Sequence, residues 1–169
     1  MICTMEKDSP LGRLLLAGEG AYLVGLWLEG QKYYGSHYTN MKPGTLPVLR
    51  EAAGWLERYF NGERPDPGEL PLRPEGTVFQ RLIWELLLEI PYGRTTTYGA
   101  LAAEAATRLR RAAMSAQAAG GAVGQNPISI MIPCHRVLSA TGALTGYAGG
   151  VHRKQWLLAH ESASAAVDD

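Results

Sequence analysis

Residues 97–124, TYGALAAEAATRLRRAAMSAQAAGGAVG, decide how the second half of the chain is read. The hydroxyls of Thr95 to Thr97 are natural N-caps, so a helix is predicted from Tyr98 to about Ala106. The arginine-rich stretch Thr107 to Arg111 follows, and Ser115 caps a second helix from Ala116 to about Gly124. Two short helices joined by a turn predict a helix-turn-helix. Gly120 and Gly121 each cost about 1 kcal/mol relative to alanine inside a helix, so something must offset them. Small side chains let a backbone approach a neighbouring helix or a DNA groove, and from the glycines alone close packing inside the protein is the expectation.

Upstream, Phe79, Leu82, Ile83, Leu86, Leu87 and Ile90 share one face and predict an amphipathic helix over Thr77–Glu89 that stops at Pro91-Tyr92-Gly93. Residues 62–76 hold four of the ten prolines and read as a linker, with a domain boundary near residue 75. Before it, apolar spacing after Pro47 predicts a helix over Val48–Phe60 that ends at Asn61-Gly62. Two short apolar runs, Leu11–Glu19 and Tyr22–Glu29, meet at Gly20-Ala21 and predict a β-hairpin. The expected class is α+β: a small sheet-plus-helix domain over 1–75, a mainly helical domain over 76–161, and a disordered tail over 162–169.

The 169 residues are 46% hydrophobic, ample for a buried core. Two cysteines, at positions 3 and 134, form no spaced cluster, which argues against a disulfide framework and points to a reducing compartment. Residues 1–10 have no apolar signal core, and no run approaches the roughly 20 apolar residues that span a bilayer. A soluble, intracellular protein without membrane partners is expected. The zero net charge hides an asymmetry: residues 1–90 carry nine basic and twelve acidic side chains, and residues 91–160 carry seven and one. The basic part suits polyanions such as nucleic acid, or is a solvated face.

Cys134 stands in Ile132-Pro133-Cys134-His135-Arg136-Val137, with Asn126-Pro127 before it and Glu161 after it. A thiol with an ordinary pKa near 8.5 is only a few per cent thiolate at pH 7, so reactivity needs a base, and the base needs a group to orient it. His135 and Glu161 are the candidates. Adjacent residues on a strand face opposite ways, so Cys134 and His135 meet only through a turn or a bridging water. A buried structural thiol beside a core histidine is the alternative.

Together with Gly76-Thr77-Val78-Phe79-Gln80, Ile90-Pro91-Tyr92-Gly93, Thr97-Tyr98-Gly99, Gly120-Gly121-Ala122-Val123-Gly124, Tyr147-Ala148-Gly149-Gly150 and Leu157-Leu158-Ala159-His160-Glu161, these motifs resemble the O6-alkylguanine-DNA alkyltransferases, the methylated-DNA-protein-cysteine methyltransferases. The resemblance runs from about Thr77 to Glu161. It implies a ribonuclease H-like first domain, a winged-helix-like second domain, and DNA repair by irreversible, single-use transfer of an alkyl group from guanine O6 to Cys134. His135, linked to Cys134 through a water and paired with Glu161, would take the thiol proton. Asn126 would hold the turns of the site, Tyr98 would rotate the nucleotide and donate a proton, and Arg136 would be structural. Gln117, Ala118, Gly121, Thr97, Arg110 and Arg111 would contact DNA through the minor groove. Val137, Tyr147 and Ala148 would line the base pocket. The partner would be duplex DNA carrying alkylated guanine, met by a monomer in a bacterial cytoplasm, with no cofactor. A lesion-binding module of the same fold that transfers nothing is the alternative, although such relatives lose the acceptor cysteine; a cysteine hydrolase leaves the helix-turn-helix unexplained.

The chain departs from this pattern in three places. One of them is a longer loop between the two motif helices, whose Arg108, Arg110 and Arg111 would supply phosphate contacts, with an ordinary exposed loop as the alternative. The best-known members carry an arginine nine residues before the site asparagine, and here Gln117 stands there, uncharged and without a planar guanidinium to stack. Some members hold zinc in the first domain; here only Cys3 and His37 are plausible ligands, too few for tetrahedral coordination, and no metal is expected.

Overall fold

The computed structural model describes residues 1–32, 34–35, 38–144 and 146–168, with side chains as far as Ser164. His37, one of the two candidate metal ligands, lies outside them; among the described residues no group of three or more His, Cys, Asp or Glu could hold a metal ion. The chain divides into two compact units, residues 1–75 with 127–131, and residues 76–126 with 132–169.

The first unit is built on a four-stranded sheet in the order β3-β2-β1-β4. Strands β1 (Ile2–Ser9), β2 (Gly12–Glu19) and β3 (Tyr22–Leu28) form an antiparallel meander, and β4 (Met41–Pro43) runs parallel to β1. The sequence reading has the β2–β3 hairpin but no strand before residue 11. In β1 only Ile2 is fully buried, and Glu6, Lys7 and Asp8 interrupt the alternation that would betray a strand. Helix α1 (Pro47–Phe60) buries Val48, Leu49, Ala52, Trp55, Leu56 and Tyr59 on one face. Gly25 is required by packing, because a Cβ there would lie 2.2 Å from the Trp27 ring.

The proline-rich segment 62–76 is pinned to this unit rather than loose. Asp66 caps a 3-10 turn at Pro67–Glu69, and its carbonyl accepts from Trp55 Nε1 at 2.9 Å. Leu23 N donates to Pro71 O, and Arg73 N to Leu23 O. Further along the same edge of β3, Leu26 N donates to Pro127 O and Ser129 N to Leu26 O. These two short parallel bridges satisfy a strand edge that would otherwise be open. They also place residues 127–131 in the first unit, although the expected boundary at residue 75 puts them in the second.

In the second unit, helix α2 (Val78–Leu88) begins with a full capping box between Thr77 and Gln80. Its Trp84 donates from Nε1 to Ala122 O at 2.9 Å, and the same ring leaves no room for a Cβ at Gly76, which would lie 2.4 Å away. Helices α3 (Tyr98–Arg108) and α4 (Ala116–Gly124) are capped by Thr97 and Ser115 and form the expected helix-turn-helix. A two-stranded ladder joins β5 (Thr96–Thr97) to β6 (Val137–Leu138). Helix α5 (Val151–Asp168) closes the chain; its helical backbone continues through 162–168, where a disordered tail is expected from sequence. No helix among the described residues is long and apolar enough to cross a membrane.

Candidate active site

Cys134, His135 and Arg136 form a single 3-10 turn, not a strand, closed by Arg136 N to Pro133 O at 3.0 Å and by Val137 N to Cys134 O, and entered through a tighter bond from Cys134 N to Ile132 O at 2.8 Å. A strand would send successive side chains to opposite faces, whereas the turn leaves all three buried. It runs directly into β6, where Thr96 lies opposite Val137 and Thr97 opposite Leu138. That ladder fixes the start of α3, and with it Tyr98, beside the cysteine turn. On α5, Lys154, Leu157 and Glu161 recur at helical spacing, and all three are fully buried.

The charged groups interlock. His135 Nε2 lies 2.6 Å from Glu161 Oε2, Arg136 Nε donates to Glu161 Oε1 at 2.7 Å, and Arg136 Nη2 donates to Oε2 at 3.1 Å. Burial alone would raise the carboxyl pKa of Glu161, but the hydrogen bonds and charges of His135 and Arg136 outweigh it and hold Glu161 well below the usual carboxylate range. An ionised carboxylate only accepts, so His135 Nε2 carries the hydrogen and Nδ1 keeps its lone pair. Nδ1 has no protein hydrogen-bond partner among the described residues. Burial also pushes the His135 pKa down, against the pull of Glu161 and with the help of Arg136 and Lys154, so the ring is a neutral base.

Burial pushes the Cys134 thiol up to about 11, opposed by a hydrogen bond from Asn126 and by the charge of Lys154. The Asn126 amide also donates to Ile132 O at 2.9 Å, so one side chain ties the residues before the turn to the thiol. The Lys154 ammonium lies 5.8 Å from the centre of the Tyr98 ring, its pKa lowered by burial and partly restored by Cys134. Burial and the neighbouring Cys134 raise the pKa of the Tyr98 hydroxyl, so it holds its proton.

Of the residues singled out from sequence, Cys134, His135, Glu161, Asn126 and Tyr98 therefore stand together. Val137 is fully buried in β6, Tyr147 nearly so, and Ala148 half-buried before α5. Gln117, Ala118 and Gly121 lie on the exposed face of α4. Packing does not account for every glycine there: a Cβ at Gly121 or Gly124 would meet nothing within 4 Å, and one at Gly120 only an ordinary contact with the Tyr98 ring. The close packing expected from sequence is thus the wrong explanation for Gly121. The Thr97 hydroxyl oxygen caps α3 by accepting from Ala100 N at 3.1 Å, and Arg110 and Arg111 are exposed on the loop before α4. Arg111 and Ala118 line an apolar groove of about 360 Å³ with Val78, Phe79, Leu109 and Met114. Arg108, in the same basic stretch, is committed to Glu89 and Glu104.

Lys154 is the site residue that sequence reading missed. A lysine on a terminal helix reads as solvent-facing; the signal was its spacing, seven residues before Glu161 and three before Leu157, on the buried face.

Residues 78–163 match the family described as 6-O-methylguanine DNA methyltransferase, DNA binding domain, and residues 3–74 match the ribonuclease-like domain of the same enzymes. The chain belongs to the 6-O-methylguanine DNA methyltransferase family. Within that family it is 44% identical to the methylated-DNA--protein-cysteine methyltransferase of Haemophilus influenzae, over 89% of this chain and 80% of that one. It is likewise 44% identical to the protein of the same name from Mycobacterium bovis, over 99% of this chain and 97% of that one. The crystal structure of Mycobacterium tuberculosis OGT in complex with DNA superposes with a TM-score of 0.82 at 40% identity, covering 96% of this chain and 93% of that one. The α+β class expected from sequence holds for this 6-O-methylguanine DNA methyltransferase family member.

Proposed function

We propose that the chain repairs alkylated guanine in duplex DNA by taking the alkyl group from O6 onto its own Cys134, once per chain and irreversibly. The observation that carries this reading is a buried thiol on the same turn as a buried histidine whose Nε2 lies 2.6 Å from the buried Glu161 carboxylate. With the thiol near 11, thiolate at pH 7 amounts to about one part in ten thousand, so the sulfur must lose its proton as it reacts. The proton passes to Nδ1 of His135 through a water, Sγ bonds to the alkyl carbon, and the bond from that carbon to O6 breaks. Tyr98, which keeps its proton, supplies one to the departing guanine. The product is a thioether, a stable sink that needs no cofactor and does not regenerate the thiol.

A group on O6 is out of reach inside a duplex, so the base must leave the stack at a cost of a few kcal/mol. The exposed α4 face of Gln117, Ala118 and Gly121 suits a minor groove, where side-chain-free positions allow close approach. Gln117 fills the space left by the base; Thr97, Arg110 and Arg111 meet phosphates; and the backbone at Val137, with Tyr147 and Ala148, lines the pocket. The protein works as a monomer in the cytoplasm, where its two free cysteines stay reduced. The test is the DNA: incubated with a duplex in which O6-methylguanine blocks a restriction site, the protein restores cleavage in proportion to the protein added, up to one site per chain. Repair of many sites per chain, or none, contradicts the proposal.

A further inference from the structure

Arg136 occupies more of Glu161 than His135 does. Its Nε and Nη2 reach the two carboxylate oxygens separately, while Nη1 donates to Ile90 O at 2.8 Å and the Tyr92 ring lies 5.6 Å from the guanidinium carbon. Every edge of the guanidinium is fixed, and the carboxylate it grips is left one direction in which to receive His135. Without that cation, a buried Glu161 would face His135 alone, and the favourable answer would be an imidazolium–carboxylate pair. An imidazolium cannot take a proton from a thiol. With the cation in place, the charge of Glu161 is already balanced, and His135 needs only to donate one neutral N–H.

We propose that Arg136 is a positioning residue for alkyl transfer: by clamping both oxygens of Glu161 it fixes the orientation of His135 and keeps that ring neutral and able to act as a base. The proposal rests on the reading above, in which His135 takes the thiol proton. The groups that face His135 are Cys134 and Arg136 on the same turn and Glu161 and Lys154 on α5; Tyr92 lies against Arg136, and Tyr98 against Lys154. Burial opposes protonation of His135 most, Glu161 favours it, and the charges of Arg136 and Lys154 oppose it further.

Two substitutions separate charge from geometry. Arg136→Gln removes the charge, and Arg136→Lys keeps it on a single point that cannot span two oxygens. On protein labelled with 13C-histidine, the His135 ring resonance of the wild type titrates below the ordinary histidine range, whereas in Arg136→Gln its titration moves up. In the same variant the acid limb of the single-turnover rate on an O6-methylguanine duplex moves up by about one pH unit. A purely structural loss would lower the rate equally at all pH values. In Arg136→Lys the histidine titrates as in the wild type and the acid limb does not move, but the plateau rate falls about tenfold or more, ~1.4 kcal/mol. A Gln variant whose His135 titrates as in the wild type with an unmoved acid limb overturns the proposal. So does a Lys variant with the wild-type rate, and this holds even if Arg136→Gln fails to fold. Should the wild type take no methyl group at all, the functional reading fails instead, while the histidine titration still decides the role of Arg136.

Discussion

Replacing Glu161 by glutamine keeps the shape of the side chain and removes the charge on which the site turns. Three donors converge on its two oxygens: His135 Nε2 at 2.6 Å, Arg136 Nε at 2.7 Å and Arg136 Nη2 at 3.1 Å. An amide has one acceptor oxygen, so at least one donor must face an NH2 group, and Arg136 is left buried without a counter-charge. Removing one partner of a buried pair costs about 3–5 kcal/mol. For a chain of this size that is a fall of roughly 6–20 °C in melting temperature at pH 7. The pH dependence follows from the lowered carboxyl of Glu161. A group whose folded pKa lies below its unfolded value stabilises fully above the ordinary carboxylate range, and the contribution is lost on acidification. The gap between wild type and Glu161→Gln should therefore be complete at pH 7 and shrink by about 1.4 kcal/mol for each pH unit below about 4. Thermal melts followed by circular dichroism at pH 7 and pH 3 measure both. A variant melting within about 3 °C of wild type at pH 7, or a gap that does not shrink in acid, refutes the reasoning.

Lys154→Met should separate stability from reactivity: the fully buried ammonium gives way to an apolar chain of similar length, so stability is unchanged or higher, while Cys134 loses a charge that favours its thiolate. Iodoacetamide labelling of Cys134 at pH 8 should slow about tenfold for each pH unit by which the thiol rises, read by intact mass over time. Gly121→Ala meets no atom within 4 Å, so it should stabilise α4 by about 1 kcal/mol while weakening DNA binding about fivefold or more; the opposed signs are measured by melting and by fluorescence anisotropy. Gly76→Ala drives a Cβ to 2.4 Å from the Trp84 ring and should destabilise by about 1–3 kcal/mol in denaturant titrations.

The elements legible in the sequence are those with local signatures. Thr97 and Ser115 announce the starts of α3 and α4, and apolar spacing announces α1 after Pro47 and α2 before Pro91. What escaped is set by partners distant in the chain. β1 exists because β2 pairs with it on one side and β4 on the other, and its own alternation is broken by charged residues. Residues 127–131 belong with the first unit because Leu26, a hundred residues earlier, accepts and donates to them. The site shows the same division. Cys134, His135, Glu161 and Asn126 are chemically conspicuous residue types, but the 3-10 turn on which Cys134 and His135 are both buried is closed by backbone hydrogen bonds that carry no sequence mark. Lys154 is hidden for a related reason, since only the burial of its helix face turns an ordinary lysine into a charge beside the thiol.

The central claim is that Cys134 itself keeps the alkyl group. Intact mass spectrometry after incubation with excess O6-methylguanine duplex, followed by peptide mapping, tests it directly. The account predicts that every active chain gains one methyl group, carried by Cys134, and that Cys134→Ala gains none. Unmodified protein after the DNA has been repaired, or a methyl group on any other residue, would contradict it.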